Sequence, residues 1–251
     1  MGRTDFYRAL GPERGAWFDD TNWSVVRQAG QVGLPGADAA QAALYRTYWR
    51  PIYAYICRRG YTHADAQDLA QEFLVRLLER NYLRAAAPAK GRFRTYLLTL
   101  LNRFLADQHR RATRQKRGGQ HAVLSLDEGD TEARRRREPA DSMTPDKCFD
   151  RAWAESLLTN ALALLERECL ADGKQQLFAE LKPFLTCDSH EPSKLAADRL
   201  GLTQGNLRVT LHRLRQRFRE LLRAEIAHTA RTREEIEAEL DDLRAVLSEG
   251  A

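Results

Sequence analysis

Residues 193–223, SKLAADRLGLTQGNLRVTLHRLRQRFRELLR, decide how the chain is read. They predict a helix, a tight turn at Gly201-Leu202-Thr203 and a long, densely basic second helix. Leu195, Ala196 and Leu200 give the first helix an apolar side. Thr203 stands where a helix N-cap belongs, with a hydroxyl able to accept from an N–H of the first turn. Leu207, Leu211, Leu214, Phe218 and Leu221 then recur every three or four residues and form one apolar stripe. Arg208, His212, Arg215 and Arg219 form a second stripe beside it. A helix-turn-helix needs this division: one stripe locks the helix pair and the other faces the major groove and its phosphates. The competing explanation is a surface helix with solvated arginines.

Outward from that motif, charge is unevenly distributed. The chain has 251 residues, with 40 Lys and Arg against 35 Asp and Glu, a net +5. Residues 84–117 hold ten of the basic residues (Arg84, Lys90, Arg92, Arg94, Arg103, Arg110, Arg111, Arg114, Lys116 and Arg117) against a single acid, Asp107. Residues 205–223 hold six Arg against Glu220, whereas residues 233–249 carry seven acids and two arginines. Two basic islands far apart in the chain point to two places that touch a polyanion. The four cysteines, Cys57, Cys148, Cys169 and Cys187, form no C-x-x-C pair, which argues against a structural zinc site and for reduced thiols in the cytoplasm. No metal or cofactor is expected. No signal-peptide core and no apolar run near eighteen residues is found, so neither secretion nor a membrane span is expected.

Nearly every periodic segment has a helical period, and no alternating strand pattern stands out, so an all-α fold is expected. Thr21-Asn22-Trp23-Ser24-Val25-Val26 reads as a short helix entry anchored by its tryptophan. A helix from Ala39 runs through Leu44, Tyr48, Tyr55 and Ile56. Another from Thr62 buries Leu69, Phe73, Leu77 and Leu78. The strongest amphipathic helix carries Phe93, Leu97, Leu100, Leu101, Phe104 and Leu105. Residues 118–150, with Gly118-Gly119, the Arg134–Arg137 run, Pro139 and Pro145, are polar without period and read as a flexible linker. The resulting partition is an extension over 1–38, a first helical domain over 39–117, the linker, a second helical domain over 151–228 and an acidic helix over 229–251.

Two faces of the first domain carry chemistry. At 100° per residue, Tyr96, Arg103, Arg110, Arg114 and Arg117 share a sector roughly 130° from the apolar one. An aromatic in line with guanidinium groups suits single-stranded nucleic acid, which needs cations for phosphates and π-faces for unstacked bases; the alternative has Tyr96 closing the core edge. On the helix at 65–80, Asp65, Asp68 and Glu72 line one face with Gln71 beside it. Carboxylates do not bind phosphate, so this face suits a basic protein surface, or else merely opens the helix favourably against its dipole.

LYRTYWRPIYAYICRRG, DAQDLAQEFLVRLLER, FRTYLLTLLNRFLADQHRR, a linker and the helix-turn-helix, in that order, resemble bacterial RNA polymerase sigma factors, most closely the small two-domain extracytoplasmic-function branch. TNWSVV, LFAELKPFLT and EIAHTA followed by an acidic helix look like a planctomycete-type subgroup. The resemblance implies a non-enzymatic protein that binds core RNA polymerase and promoter DNA, with an anti-sigma or other regulatory protein as a further candidate partner. It implies that Asp65, Asp68, Gln71 and Glu72 face polymerase. It also implies that Lys90, Arg92, Arg94, Tyr96, Arg103, Arg110, Arg111, Arg114, Lys116 and Arg117 belong to the part that opens and reads the minus-ten element. Thr203, Gln204, Asn206, Arg208, His212, Arg213 and Arg215 match the helix that reads the minus-thirty-five duplex. Departures are Gln204 and Asn206, where many members carry Glu and a small residue, and the long ECLADGKQQLFAELKPFLT connection before the helix-turn-helix. Gln and Asn each pair bidentately with adenine. The rival reading is a free-standing regulator that binds duplex DNA as a dimer, with the acidic tail as a dimerising helix; no motif of a nucleic-acid enzyme is present.

Overall fold

The computed structural model describes residues 24–31, 33–79, 82–85, 92–118, 143–185, 194–230 and 232–248. Among them the chain is all-α. In the first half lie α1 (Ser24–Ala29), α2 (Ala37–Arg58), α3 (His63–Glu79), the single turn α4 (Tyr82–Ala85) and α5 (Phe93–Gly118). The second half holds α6 (Pro145–Ala171), α7 (Gln175–Leu185), α8 (Lys194–Arg199), α9 (Gln204–Ala227) and α10 (Arg233–Ser248). Trp23, Lys90 and the Arg134–Arg137 run lie outside the described residues.

The helix starts follow from local chemistry. Gly36 precedes α2 with φ 86°, a conformation a side chain would resist. Thr62 caps α3, its Oγ1 accepting from the Asp65 N–H at 3.2 Å. Thr144 does the same for α6, accepting from the Lys147 N–H at 3.3 Å, and Pro145 follows at the first helical position. The expected linker over 118–150 is therefore too long at its end. Pro145 opens a helix, since its missing N–H would have found no partner in a first turn anyway.

The two helical halves pack into one continuous core. Among the described residues helices α2 and α6 make the most extensive contact, and α6 also meets α9 and α10. Tyr48, Ile52, Tyr55 and Ile56 on α2 are buried, as are Phe149, Trp153 and Leu157 on α6. The Tyr55 and Phe149 rings meet edge to face at 6.5 Å. Polar ties cross the same seam. Arg58 Nε donates to the Met143 carbonyl at 2.7 Å, and Asn160 Nδ2 donates to Thr47 Oγ1 at 3.3 Å. Arg50 pairs with Glu155 at 2.8 Å. The Tyr48 hydroxyl reaches Thr229 Oγ1 at 3.4 Å, and burial pushes its pKa far above the usual tyrosine value.

Candidate polymerase-docking face and nucleic-acid interface

On α3 the apolar side, Ala66, Ala70, Phe73, Leu74 and Leu77, is buried. That burial turns Asp65, Asp68 and Gln71 to solvent. Glu72 differs from the other three. It is half-buried, pairs with Arg76 one turn on, and accepts from Gln108 Nε2 of α5. Arg76 in turn lies over the Phe104 ring, 5.0 Å from its centroid. Three members of the face are thus open to a partner, while the fourth ties α3 to α5.

Helix α5 divides along its length. Arg103, Arg110, Arg111 and Arg114 are exposed, with Arg110 also bonded to Asp107 at 2.5 Å. Lys116 and Arg117 belong to the helix, but their side chains lie outside the described residues. Tyr96 is half-buried. Its hydroxyl donates to the Tyr82 carbonyl at 2.9 Å and its ring stands against Phe93. It closes the core margin, as the alternative reading had it, and burial raises its pKa.

At the start of α5 the cations face inward. Arg94 is only 9% exposed, its guanidinium carbon 4.8 Å from the centroid of the buried Trp153 ring. Its Nη1 bonds Asp150 Oδ1 at 2.6 Å, its Nε lies 3.0 Å from Glu239 Oε2, and its Nη2 meets Asp242. Arg92 also pairs with Asp242, and lies 3.6 Å from Glu239. Burial works against the Arg94 charge, but Glu239, Asp150 and Asp242 outweigh it and raise its pKa. At the carboxylates the balance reverses. Burial pushes Glu239 and Asp150 above the usual carboxyl range despite the pull of the arginines. The network is therefore held against a desolvation cost on its acidic side.

In the second half, Gly201, at φ 63°, makes the turn between α8 and α9. Thr203 Oγ1 accepts from the Asn206 N–H at 3.2 Å, the expected cap. Leu207, Leu211, Phe218 and Leu221 are buried, and Gln204, Asn206, Arg208, His212 and Arg213 are exposed. Arg215 instead points to α7, donating to the Phe184 carbonyl from Nε at 3.2 Å and Nη2 at 2.8 Å. Two further residues of this surface were not among the expected ones. Val209 is 51% exposed directly opposite the buried stripe, and Gly205, one turn earlier, has open space where a Cβ would stand. The signal was available in the helical period, which sets Val209 about 180° from the centre of that stripe.

Among the described residues no cluster of His, Cys, Asp and Glu could hold a metal ion, and no helix is long and apolar enough to cross a membrane.

This arrangement is a basic helix and an acidic helix folded on one core, with a capped basic helix beyond. Residues 44–115, from α2 through most of α5, match the family of Sigma-70 region 2. That match, over less than a third of the chain, supports a sigma-factor role in promoter recognition and transcription initiation. Neither the curated proteins nor the solved structures gave a match to the chain.

Proposed function

We propose that the chain is a two-domain sigma factor of the extracytoplasmic-function type, working in the cytoplasm without catalytic activity of its own. In this reading Asp65, Asp68 and Gln71, with Glu72 behind them, grip a coiled coil of the largest polymerase subunit. The exposed arginines of α5 hold the minus-ten region as its bases unstack, at a cost of a few kcal/mol that phosphate contacts offset in part. Helix α9 enters the major groove of the minus-thirty-five element, with Gln204, Asn206 and Arg208 at the base edges and Thr203 fixing the helix start. Arg213 and His212 suit phosphate, and Arg215 serves by anchoring α9 to α7. An anti-sigma protein would compete for these same surfaces.

The observation that carries the reading is the separation of exposed charge. Among the described residues the exposed carboxylates of α3 are Asp65 and Asp68, with no exposed Lys or Arg beside them, and cations dominate the charged outer faces of α5 and α9. The rival dimeric regulator gives the acidic surface of α3 no role. It also needs α10 as a dimerising helix, yet Ile236, Leu240 and Leu243 of α10 are already buried within this chain. The test is co-elution with core polymerase: Asp68→Arg should abolish it while the variant stays folded, and unchanged co-elution would refute the assignment of that face.

A further inference from the structure

Helix α10 has no part in the contacts just assigned. It is nonetheless docked on both halves. Ile236, Leu240 and Leu243 pack toward the second half, where α10 meets α6 and α9, and Arg223 of α9 lies 3.5 Å from Glu237. Its opposite edge sends Glu239 and Asp242 to Arg92 and Arg94 of the first half. Asp150 of α6 joins the same cluster, with the guanidinium stacked over Trp153. Both carboxylates occupy guanidinium donors that a phosphate would use: Glu239 sits at Arg94 Nε, and Asp242 Oδ2 meets one Nη of each arginine.

The fit is incomplete. Glu239 Oε2 is buried 3.0 Å from Arg94 Nε, an ion pair, but among the described residues it has no aligned hydrogen-bond donor. The ion pair offsets the desolvation of that oxygen only in part, so the contact can be displaced. Size adds a second argument, resting on the sigma-factor reading above. Elements centred near ten and thirty-five nucleotides upstream are about 85 Å apart at ~3.4 Å per base pair. A compact chain of this length is only about 45 Å across. The closed body cannot reach both.

We propose that α10 is an intramolecular clasp. Its Glu239 and Asp242 take the place of promoter phosphate on Arg92 and Arg94 and keep the α2–α6 seam shut, and capture of the first half by polymerase opens it. The free chain therefore binds promoter DNA weakly, and the cost of opening is met only on the enzyme.

Two full-length variants test this. In the first, Thr47→Cys with Asn160→Cys places a disulfide across the seam, where the native side chains lie 3.3 Å apart. With core polymerase, the oxidised form should lose promoter-directed transcription and regain it on reduction. In the second, Glu239→Gln with Asp242→Asn keeps the shape of α10 but removes its charge. Free of polymerase, this variant should bind a promoter fragment about tenfold more tightly than the wild type and show a larger radius of gyration by X-ray scattering. A cross-linked chain that transcribes normally, or an uncharged variant that stays compact with unchanged affinity, would overturn the clasp. A wild-type chain that directs no transcription would instead overturn the sigma-factor reading on which the clasp rests.

Discussion

Helices α5 and α9 have nearly the same sequence character and different surroundings. Both are long, amphipathic and rich in arginine, and each buries one apolar stripe. On α9 the cations of the first turns, up to Arg213, stay exposed, and Arg215 turns back to bind the chain's own backbone. On α5 the order is reversed. Arg92 and Arg94 at the start are engaged by acids of a helix far along the chain, and exposure begins at Arg103. Counting arginines thus predicts a polyanion-binding helix but not which of its arginines are available. Availability is set by whatever carboxylate the fold brings nearby.

Substitution at Arg94 should have the largest effect. Arg94→Ala leaves the buried Glu239 and the half-buried Asp150 without their main partner and should destabilise the chain by about 3–5 kcal/mol in denaturant unfolding. A loss under ~1 kcal/mol would mean that the cluster is wetter and looser than its geometry indicates. Truncation within the hydrophobic side of the clasp comes next. Leu243 is fully buried, and Leu243→Ala should cost about 2–5 kcal/mol by the same measurement, since a cavity replaces packed methyl groups. On α9, the exposed Arg213→Ala should leave stability within ~0.5 kcal/mol. It should weaken duplex binding for all sequences alike and lower the salt dependence by about one ion. Base-specific weakening would instead move Arg213 from the phosphates to the groove floor.

The smallest effect expected is on pH. Glu239 and Asp150 have folded-state pKa values raised by burial. Between the ordinary carboxyl range and those raised values the folded chain binds more protons than the unfolded one. Their contribution to stability therefore falls as pH rises through that window. Glu239→Gln should flatten this part of the stability profile in a pH series of thermal unfolding curves. Glu168 runs the other way. Its hydrogen bonds from Arg217 lower its pKa, so its contribution is present above the ordinary range and fades as pH falls.

Much of this was legible in the chain. The stripe of α9, the caps at Thr62 and Thr203 and the outward Asp65 and Asp68 all follow from period and side-chain chemistry over a few residues. The all-α class follows too, because no segment alternates. Arg94 was legible as a buried residue. At 100° per residue it falls within the apolar sector of α5, about 20° from both Leu101 and Leu105, so a buried guanidinium was implied. The linker reading includes Pro145, whereas Thr144 before it is a cap and makes Pro145 a starter. The clasp itself was beyond local reasoning. Asp242 meets Arg94 across 148 positions of sequence, and no periodicity carries that distance. The inward turn of Arg215 likewise depends on where α7 sets the Phe184 carbonyl, a tertiary fact.

The central claim is that this acid-faced, twice-basic helical chain confers promoter choice on RNA polymerase. Its most direct test is transcription in vitro with purified core enzyme and a library of upstream sequences. The account predicts transcripts that start at a restricted set of sites with the wild-type chain and none with Asp68→Arg. Initiation that is absent, or identical with and without the wild-type chain, would contradict it.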